Sequence, residues 1–208
     1  MDVDRTAVAG ARAIVLVEGM SDKAALETLA PRLGIPTGGT GIHIVPMGGV
    51  TNIGRFIDTF GPAGLKLTVT GLCDAGEADY VRRVLARAGY LIGQSRGDLA
   101  GAGFYVCDAD LEDELIRAVG VDGVERVIEA QGELGSYQTF GKQPAQRRRS
   151  TEQHLHRFMG TRSGRKSLYA SLLAAALDLD RIPDPLLQVL THAAGRPAPA
   201  GPPHPARS

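Results

Sequence analysis

The stretch A-I-V-L-V-E-G-M-S-D-K-A-A-L, from Ala13 to Leu26, decides how this chain can fold. Its first five residues form an uninterrupted apolar run, which is typical of a strand that is covered on both faces. A strand over 11–17 is therefore predicted. The run stops at Glu18-Gly19, and Ser21 or Asp22 can cap the helix that follows. A buried strand that leads directly into a helix begins a βαβ unit, which predicts a parallel sheet with helices on its faces.

The rest of the chain repeats this alternation of short apolar runs and helical periodicity. Further strands are predicted at Ile42–Met47, Leu65–Cys73 and Phe104–Cys107. Residues 11–134 are therefore assigned to an α/β domain, and residues 135–195 to a basic loop and helical extension that packs on it. The two ends, residues 1–10 and the Pro-rich tail 196–208, lack large apolar groups and are predicted to be disordered.

Composition and length limit the class of protein. With 208 residues, of which 43% are hydrophobic and 22% charged, the chain can bury a core, which excludes wholesale disorder and collagen. No apolar run approaches the roughly 20 residues of a membrane span, and no secretory signal is visible. Cys73 and Cys107 each end an apolar run, which indicates buried thiols that stay reduced. A cytoplasmic protein without a membrane partner is expected.

The formal net charge of zero hides an asymmetry. From Lys142 to Lys166 there are eight basic residues and one acid, Glu152, so this segment carries +7 and the remainder −7. A basic flank beside an acidic body suits a protein that holds cations next to phosphates. The alternative is an ordinary solvated helix face. The candidate nucleic-acid contacts in this flank are Lys142, Arg147, Arg148, Arg149, Arg162, Arg165 and Lys166.

Three of the four predicted strands end in an acidic residue: Glu18, Asp74 and Asp108. In open parallel sheets the carboxyl ends of the strands line the crevice where ligands bind, so these side chains are expected to converge. Converging carboxylates repel one another unless a hard divalent cation lies among them, which indicates a Mg²⁺ or Mn²⁺ site. The alternative is that each acid merely caps or flanks a helix.

The segment V-L-V-E-G-M-S-D-K-A-A-L, Val15 to Leu26, resembles the first signature of TOPRIM domains, the metal-dependent module of topoisomerases, primases and several nucleases. Its E-G-x-S-D-x-x-A-L form is similar to that of the OLD-family nucleases. Weaker matches are Asp74, the block L-E-D-E-L-I at Leu111 to Ile116, and S-G-R-K-x-x-x-A at Ser163 to Ala170. The resemblance implies a TOPRIM-like, Rossmann-like, mostly parallel sheet flanked by helices, with a helical C-terminal extension.

The resemblance also implies an activity, the hydrolysis of phosphodiester bonds in DNA with one or two Mg²⁺ or Mn²⁺ ions. Glu18 would be a ligand or general acid/base, and Asp22, one helical turn on, would support the site. Asp74 would be a principal ligand, and Glu112 would complete the set. Lys166 matches a lysine that approaches the scissile phosphate. A metal and a lysine suit this reaction because both neutralise the charge that develops on the phosphate.

Two departures from the family pattern limit this interpretation. TOPRIM domains usually carry D-x-D after the third strand, whereas here Asp74-Ala75 is followed by Gly76. Glu77 could supply the missing carboxylate, or Asp108 and Asp110 after the next strand could. OLD nucleases also join this domain to an ATPase, yet no G-x-x-x-x-G-K-[ST] motif occurs in this chain.

Two other functions therefore stay open at this stage, as does the oligomeric state. One is a non-catalytic TOPRIM-like subunit that binds DNA or metal for a separate partner ATPase. The other is a receiver-like or phosphatase-like domain that transfers a phosphoryl group to an aspartate. His154 and His156, at positions i and i+2 of a predicted helix, point to different faces, so we expect surface histidines rather than a shared metal site.

Overall fold

The structure, a computed structural model, describes residue 8 and residues 10–93, 96–146, 148–162 and 164–196, with only the backbone at 96 and 97. The ends predicted to be disordered, 1–10 and 196–208, lie outside the described residues except for Val8, Gly10 and Arg196. Arg147, one of the candidate nucleic-acid contacts, also lies outside them.

The core of the fold is a four-stranded parallel sheet, which confirms the predicted fold class. Its strands are β1 (Ala13–Val17), β2 (Ile42–Pro46), β3 (Thr68–Asp74) and β4 (Phe104–Cys107), in the spatial order β2-β1-β3-β4. The chain thus runs from β1 outward to β2 and then returns to the opposite side of β1. The direction of winding reverses between β1 and β3, and ligands bind beyond the strand ends at such a point.

Helices connect the strands and continue after them. In the described residues they are α1 (Met20–Arg32), α2 (Ile53–Phe60), α3 (Ala78–Arg87), α4 (Arg96–Gly101), α5 (Leu111–Val119), α6 (Val121–Ala130), α7 (Leu134–Gly141), α8 (Thr151–Met159), α9 (Arg165–Ala176) and α10 (Asp184–Ala193). None of these helices is long and apolar enough to cross a membrane.

The two faces of the sheet carry two separate apolar cores, because successive strand residues point to opposite faces. Val15 and Val17 of β1 pack into the first core with α1, α5, α6 and the helices after residue 134, whereas Ile14 and Leu16 pack into the second with α2 and α3. Cys107 belongs to the first core and Cys73 to the second, and neither forms a disulfide within the described residues. The division into a domain (11–134) and an extension (135–195) stays a proposal, since both share the first core.

The third strand begins later than predicted. A run from Leu65 was expected, yet β3 starts at Thr68. The preceding residues form a turn in which the amide of Leu65 donates to the carbonyl of Thr59 over 2.9 Å. Lys66 there has a φ of 56°, in the left-handed region, which is incompatible with extended backbone. The alternation of apolar and polar residues continues across this turn, so the sequence does not show where the strand begins.

Candidate metal centre

The site begins where β1 ends, at Glu18. The backbone carbonyl of Glu18 accepts hydrogen bonds from the amides of Gly48 (3.0 Å) and Gly49 (3.2 Å), which follow β2. Both glycines have positive φ, 70° and 113°, a conformation that costs other residues strain. The Gly48-Gly49 turn therefore closes against the end of β1 and forms one wall of a cleft.

This cleft has a volume of about 340 Å³ and lies at the carboxyl edge of the sheet. It is lined by Glu18, Gly19, Ser21, Asp22, Gly48, Gly49, Asp74, Asp110, Glu112 and Lys166. The structure thus brings together acids from β1, α1, β3 and the start of α5, which are far apart in sequence. They meet because parallel strands all present their carboxyl ends at the same edge.

We call Glu18, Asp74 and Glu77 the first acidic group. One carboxylate oxygen from each residue lies within 4.8 Å of the others. Asp74 is the last residue of β3, and a 3₁₀ turn over Ala75–Glu77 returns the side chain of Glu77 toward the strand end. The Oε2 atom of Glu77 is buried and has no hydrogen-bond partner among the described residues. A buried carboxylate oxygen without a partner is costly, so it fits the role of a cation ligand.

Of the alternatives for the missing second aspartate, Glu77 is the one that groups with Glu18 and Asp74, whereas Asp110 groups with Glu112 and His156. Gly76 is exposed, and a Cβ added there would meet no atom within 4 Å. The glycine is thus not required by packing at this position. The additional methylene of Glu77 allows a residue one position later to present its carboxylate to the same place.

We call Asp110, Glu112 and His156 the second group, whose ligand atoms also lie within 4.8 Å of one another. Asp110 caps α5 by accepting from the amide of Asp113 (2.8 Å), and its other oxygen, Oδ2, lies 2.6 Å from Nε2 of His156. Glu112 is only 2% exposed. Its Oε2 pairs with Nζ of Lys166 at 3.2 Å, whereas its Oε1 has no hydrogen-bond partner among the described residues.

Asp22 lies between the two groups. Its Oδ2 accepts a hydrogen bond from the amide of Gly19 (2.8 Å), which caps α1 and fixes the side chain at the cleft. Burial raises the pKa of Asp22 to about 6, an effect to which Glu112 and Glu18 add and which this hydrogen bond and Lys166 oppose. The pKa of Asp22 is therefore affected by charged residues of both groups.

The carboxylates disfavour one another's ionised form. Burial, followed by repulsion from Asp110, Glu77 and Glu18, raises the pKa of Asp74 to about 7. Burial, and then Glu18, also raises the pKa of Glu77. Divalent cations reverse this penalty because they favour the charged form of every ligand. The raised pKa values and the two unpartnered oxygens both fit a site for hard cations.

Lys166 remains a cation in this setting. Burial alone would lower the pKa of its ammonium, but the Glu112 carboxylate raises this pKa, and the net shift is upward. Half of the side chain is exposed, and it lines the cleft. Lys166 therefore presents a permanent positive charge beside the two acidic groups.

We predict that the metal-free chain loses stability as the pH rises from about 4 to 7. The native state holds protons on Asp22 and Asp74 that the unfolded state, with ordinary pKa values near 3.8, has released. Stability present below pH 3.8 is thus lost as the pH passes the native pKa values of about 6 and 7. Urea unfolding with EDTA at several pH values measures this loss, and saturating Mn²⁺ should abolish it. A flat profile in EDTA would contradict the prediction.

Asp108 is not brought to the cleft, contrary to its prediction as a ligand. Its side chain is 63% exposed, and its Oδ2 lies 3.3 Å from the guanidinium of Arg117, a residue of α5. Arg117 also pairs with Asp113 and Glu114 on its own helix. The Asp108 carboxylate therefore lies on the surface with this cluster, whereas Asp110, two residues later, faces inward as the helix cap.

Arg165 is likewise misassigned as a nucleic-acid contact, because only 6% of its side chain is exposed. Its guanidinium lies 2.6 Å from Oε1 of Glu133 and stacks on the ring of Phe158 at 4.3 Å. Tyr169 donates to the other oxygen of Glu133 (2.7 Å). These contacts anchor the first turn of α9, which carries Lys166, so Arg165 supports the site from within the core.

The other described candidates for nucleic-acid contact are exposed. Lys142, Arg148 and Arg149 lie on the surface after α7, and Arg162 is 69% exposed although 3.8 Å from Glu133. Together with Lys166 they keep the positive flank that the sequence indicates, without Arg165. Whether this flank binds nucleic acid stays a prediction.

His156 is the site residue that sequence reasoning missed. The expectation that His154 and His156 face different ways agrees with the structure, since His154 contacts the carbonyl of Gln146 (2.7 Å). His156, however, is half-buried against Asp110 rather than on the open surface. No signal in the sequence predicts this contact, because it depends on how α8 packs on α5.

Comparison with known proteins agrees with the architecture. Residues 11–75 match the sequence model of the family described as overcoming lysogenization defect protein-like, TOPRIM domain. That segment spans β1 to the end of β3 and includes Glu18, Asp22 and Asp74. No curated protein sequence matches the chain significantly.

Three solved structures share the fold over nearly the whole chain. The C-terminal region of the Burkholderia pseudomallei OLD protein is 22% identical, with a TM-score of 0.65 over 89% of this chain and 98% of that one. Two structures of the C-terminal region of the Xanthomonas campestris pv. campestris OLD protein are 24% and 26% identical. Their TM-scores are 0.71 and 0.67, and they cover 90% and 89% of this chain and 94% and 95% of theirs. The fold is therefore that of an OLD-like TOPRIM region.

Proposed function

We propose that this chain is an OLD-like TOPRIM nuclease domain that hydrolyses phosphodiester bonds in DNA with divalent metal ions. The observation that carries the proposal is the cleft at the winding reversal of the sheet. It has an acidic group on either side, a buried unpartnered carboxylate oxygen in each, and a lysine beside them. The match of residues 11–75 to the TOPRIM family supports it.

Two cation positions follow from the donor sets. Glu18, Asp74 and Glu77 would hold one ion, and Asp110 with Glu112 would hold the other, with Asp22 between them. Mg²⁺ or Mn²⁺ bound there would neutralise the developing charge of the phosphodiester and lower the pKa of water for attack. The fixed positions of Asp22 and Asp110, each engaged as a helix cap, keep the carboxylates in place before the substrate arrives.

Lys166 would bind the phosphate that is cut. Its ammonium stays charged because Glu112 holds the proton on it, and its exposed half faces the cleft. A point charge at this position stabilises negative charge as it grows on the phosphate oxygens. The ion pair with Glu112 also couples the lysine to the second cation position.

The exposed basic residues would hold the DNA backbone without reading bases. We predict that the double variant Arg148→Ala, Arg149→Ala lowers the affinity for duplex DNA and reduces the slope of log K against log salt by about 2, because about one counterion is released per phosphate contact. Fluorescence anisotropy at several salt concentrations measures both. Arg87→Ala, an exposed position on α3 against the other core, is the matched control. An unchanged slope would remove this surface from the interface.

A plasmid-nicking assay tests the function directly. Supercoiled plasmid is incubated with the purified chain in Mg²⁺, in Mn²⁺ and in EDTA, and relaxed and linear products are quantified. Cleavage that occurs with Mg²⁺ or Mn²⁺ and not with EDTA supports the proposal. DNA retention without cleavage would instead favour a binding subunit for a separate ATPase. A receiver-like or phosphatase-like function is not favoured, because the matched family is TOPRIM.

A DNA substrate agrees with the other properties predicted for the chain. We propose a cytoplasmic location, where DNA is accessible and where the two buried cysteines stay reduced. DNA is the partner that the basic flank fits, and an ATPase is the second partner that we propose.

A further inference from the structure

The second group differs from the first in its chemistry. The first group, Glu18 with Asp74 and Glu77, offers oxygen atoms alone. The second combines the oxygens of Asp110 and Glu112 with an imidazole nitrogen of His156, all within 4.8 Å. A ligand set of two carboxylates and one imidazole differs from an all-oxygen set in the order of its affinities for divalent ions.

The geometry of His156 suits a ligand. Its Nε2 atom lies 2.6 Å from Oδ2 of Asp110, on the side of the ring that faces the carboxylates. The ring is carried on the last turn of α8, which packs on α5, the helix that carries both carboxylates. His154, two residues earlier, is held to a backbone carbonyl on another side of α8.

A second, independent observation points to a ligand at this place. Glu112 is 98% buried, and within the described part of the chain its Oε1 atom makes no hydrogen bond, although its Oε2 pairs with Lys166. A buried carboxylate oxygen without a partner costs free energy, so this position is built for something that the protein itself does not supply. A cation shared with Asp110 and His156 would satisfy it.

We propose that His156 is a direct ligand of the second cation and that this position selects transition-metal ions such as Mn²⁺ or Zn²⁺ over Mg²⁺. The inference rests on the proposed metal centre and deepens it. Imidazole nitrogen binds Mn²⁺ and, more strongly, Zn²⁺, in line with the general order of affinities, whereas Mg²⁺ keeps oxygen ligands and water. The first group remains a position for Mg²⁺ or Mn²⁺.

The competing role for His156 is that of a hydrogen-bond donor that merely orients Asp110. In that case the nitrogen stays off the ion, and replacing the ring weakens the binding of all divalent ions alike. Direct ligation instead predicts a nitrogen signal from the bound ion and a loss that depends on the metal.

Pulsed electron paramagnetic resonance of Mn²⁺ bound to the full chain separates these roles, because it detects a coordinated ¹⁴N nucleus. We expect nitrogen modulation in the wild type and in His154→Gln, the matched control on the same helix, and its loss in His156→Gln. Calorimetric titration should show that His156→Gln lowers the Zn²⁺ affinity of one site at least about tenfold. The Mg²⁺ affinity should change far less.

The wild-type spectrum alone decides the inference even if His156→Gln folds poorly. Absence of nitrogen coupling in the wild type, or its persistence in a folded His156→Gln variant, would overturn direct ligation. An equal loss of Mg²⁺, Mn²⁺ and Zn²⁺ would do the same, because it identifies an orienting role. None of these measurements needs cleavage, so a chain that binds metal through His156 but does not nick DNA would refute the proposed activity alone.

Discussion

Glu18→Gln is expected to lower metal-dependent DNA cleavage at least about 100-fold while leaving the fold intact. The amide has the shape of the carboxylate but no charge to balance a cation, so the first acidic group loses part of its attraction for the ion. The fold should survive, because the contacts that Glu18 makes with the Gly48-Gly49 turn use its backbone carbonyl. Only the side chain in the cleft changes.

The nicking assay with Mn²⁺ measures this loss, and circular dichroism with a thermal melt verifies the fold. Glu27→Gln is the control, because this exposed acid of α1 pairs only with Lys23 at 3.6 Å in the contacts described. It should cleave at the wild-type rate. Nicking by Glu18→Gln at the wild-type level would refute the assignment of the first acidic group as the catalytic metal position.

Asp74→Asn is expected to change metal binding and stability in opposite directions. Metal affinity should fall by at least about tenfold because a ligand charge is lost. The metal-free protein should become more stable at pH 7.5, because burial and then repulsion, which together raise the pKa of Asp74 to about 7, no longer act on a charged group there. The variant should also flatten the predicted loss of stability with rising pH, since one of its two sources is removed. Few substitutions stabilise a protein while they remove its activity, and those that do lie at functional sites.

Calorimetry with Mn²⁺ and urea unfolding in EDTA at pH 5.5 and 7.5 test the two effects. Asp79→Asn is the matched control, because Asp79 lies five residues later on α3, is 80% exposed and pairs with Arg82. This variant should bind metal as the wild type does. A less stable metal-free Asp74→Asn protein at pH 7.5, or unchanged Mn²⁺ binding, would contradict the electrostatic account of the site.

The architecture was accessible from the sequence because local patterns specify it. An apolar run that ends in an acid and a glycine predicts a buried strand and the start of a helix, and β1 and α1 have this form. Repetition of the pattern predicts a parallel sheet, and any parallel sheet collects its carboxyl ends at one edge. The convergence of Glu18 and Asp74 follows from that topology. Strand boundaries were less accessible, since the turn at Lys66 interrupts no apolar pattern.

The composition of the site beyond these acids required the tertiary structure. Glu77, Asp108 and Asp110 are equivalent in the sequence as acids after a strand, yet a 3₁₀ turn and a helix cap bring Glu77 and Asp110 inward. Arg117 holds Asp108 at the surface. Arg165 and Lys166 are neighbours in a basic run, but the turn of α9 buries one against Glu133 and presents the other to the cleft.

The parallel α/β fold and the edge of the sheet at which acids gather can thus be inferred from the order of the amino acids, because both depend on residue periodicity along a few consecutive positions. The three-dimensional structure is required to establish which acids face one another, that His156 joins Asp110 and Glu112, and that Arg165 supports the site from the core. Those outcomes depend on how helices from distant parts of the chain pack, and the direction of a single side chain on a packed helix leaves no periodic trace in the sequence.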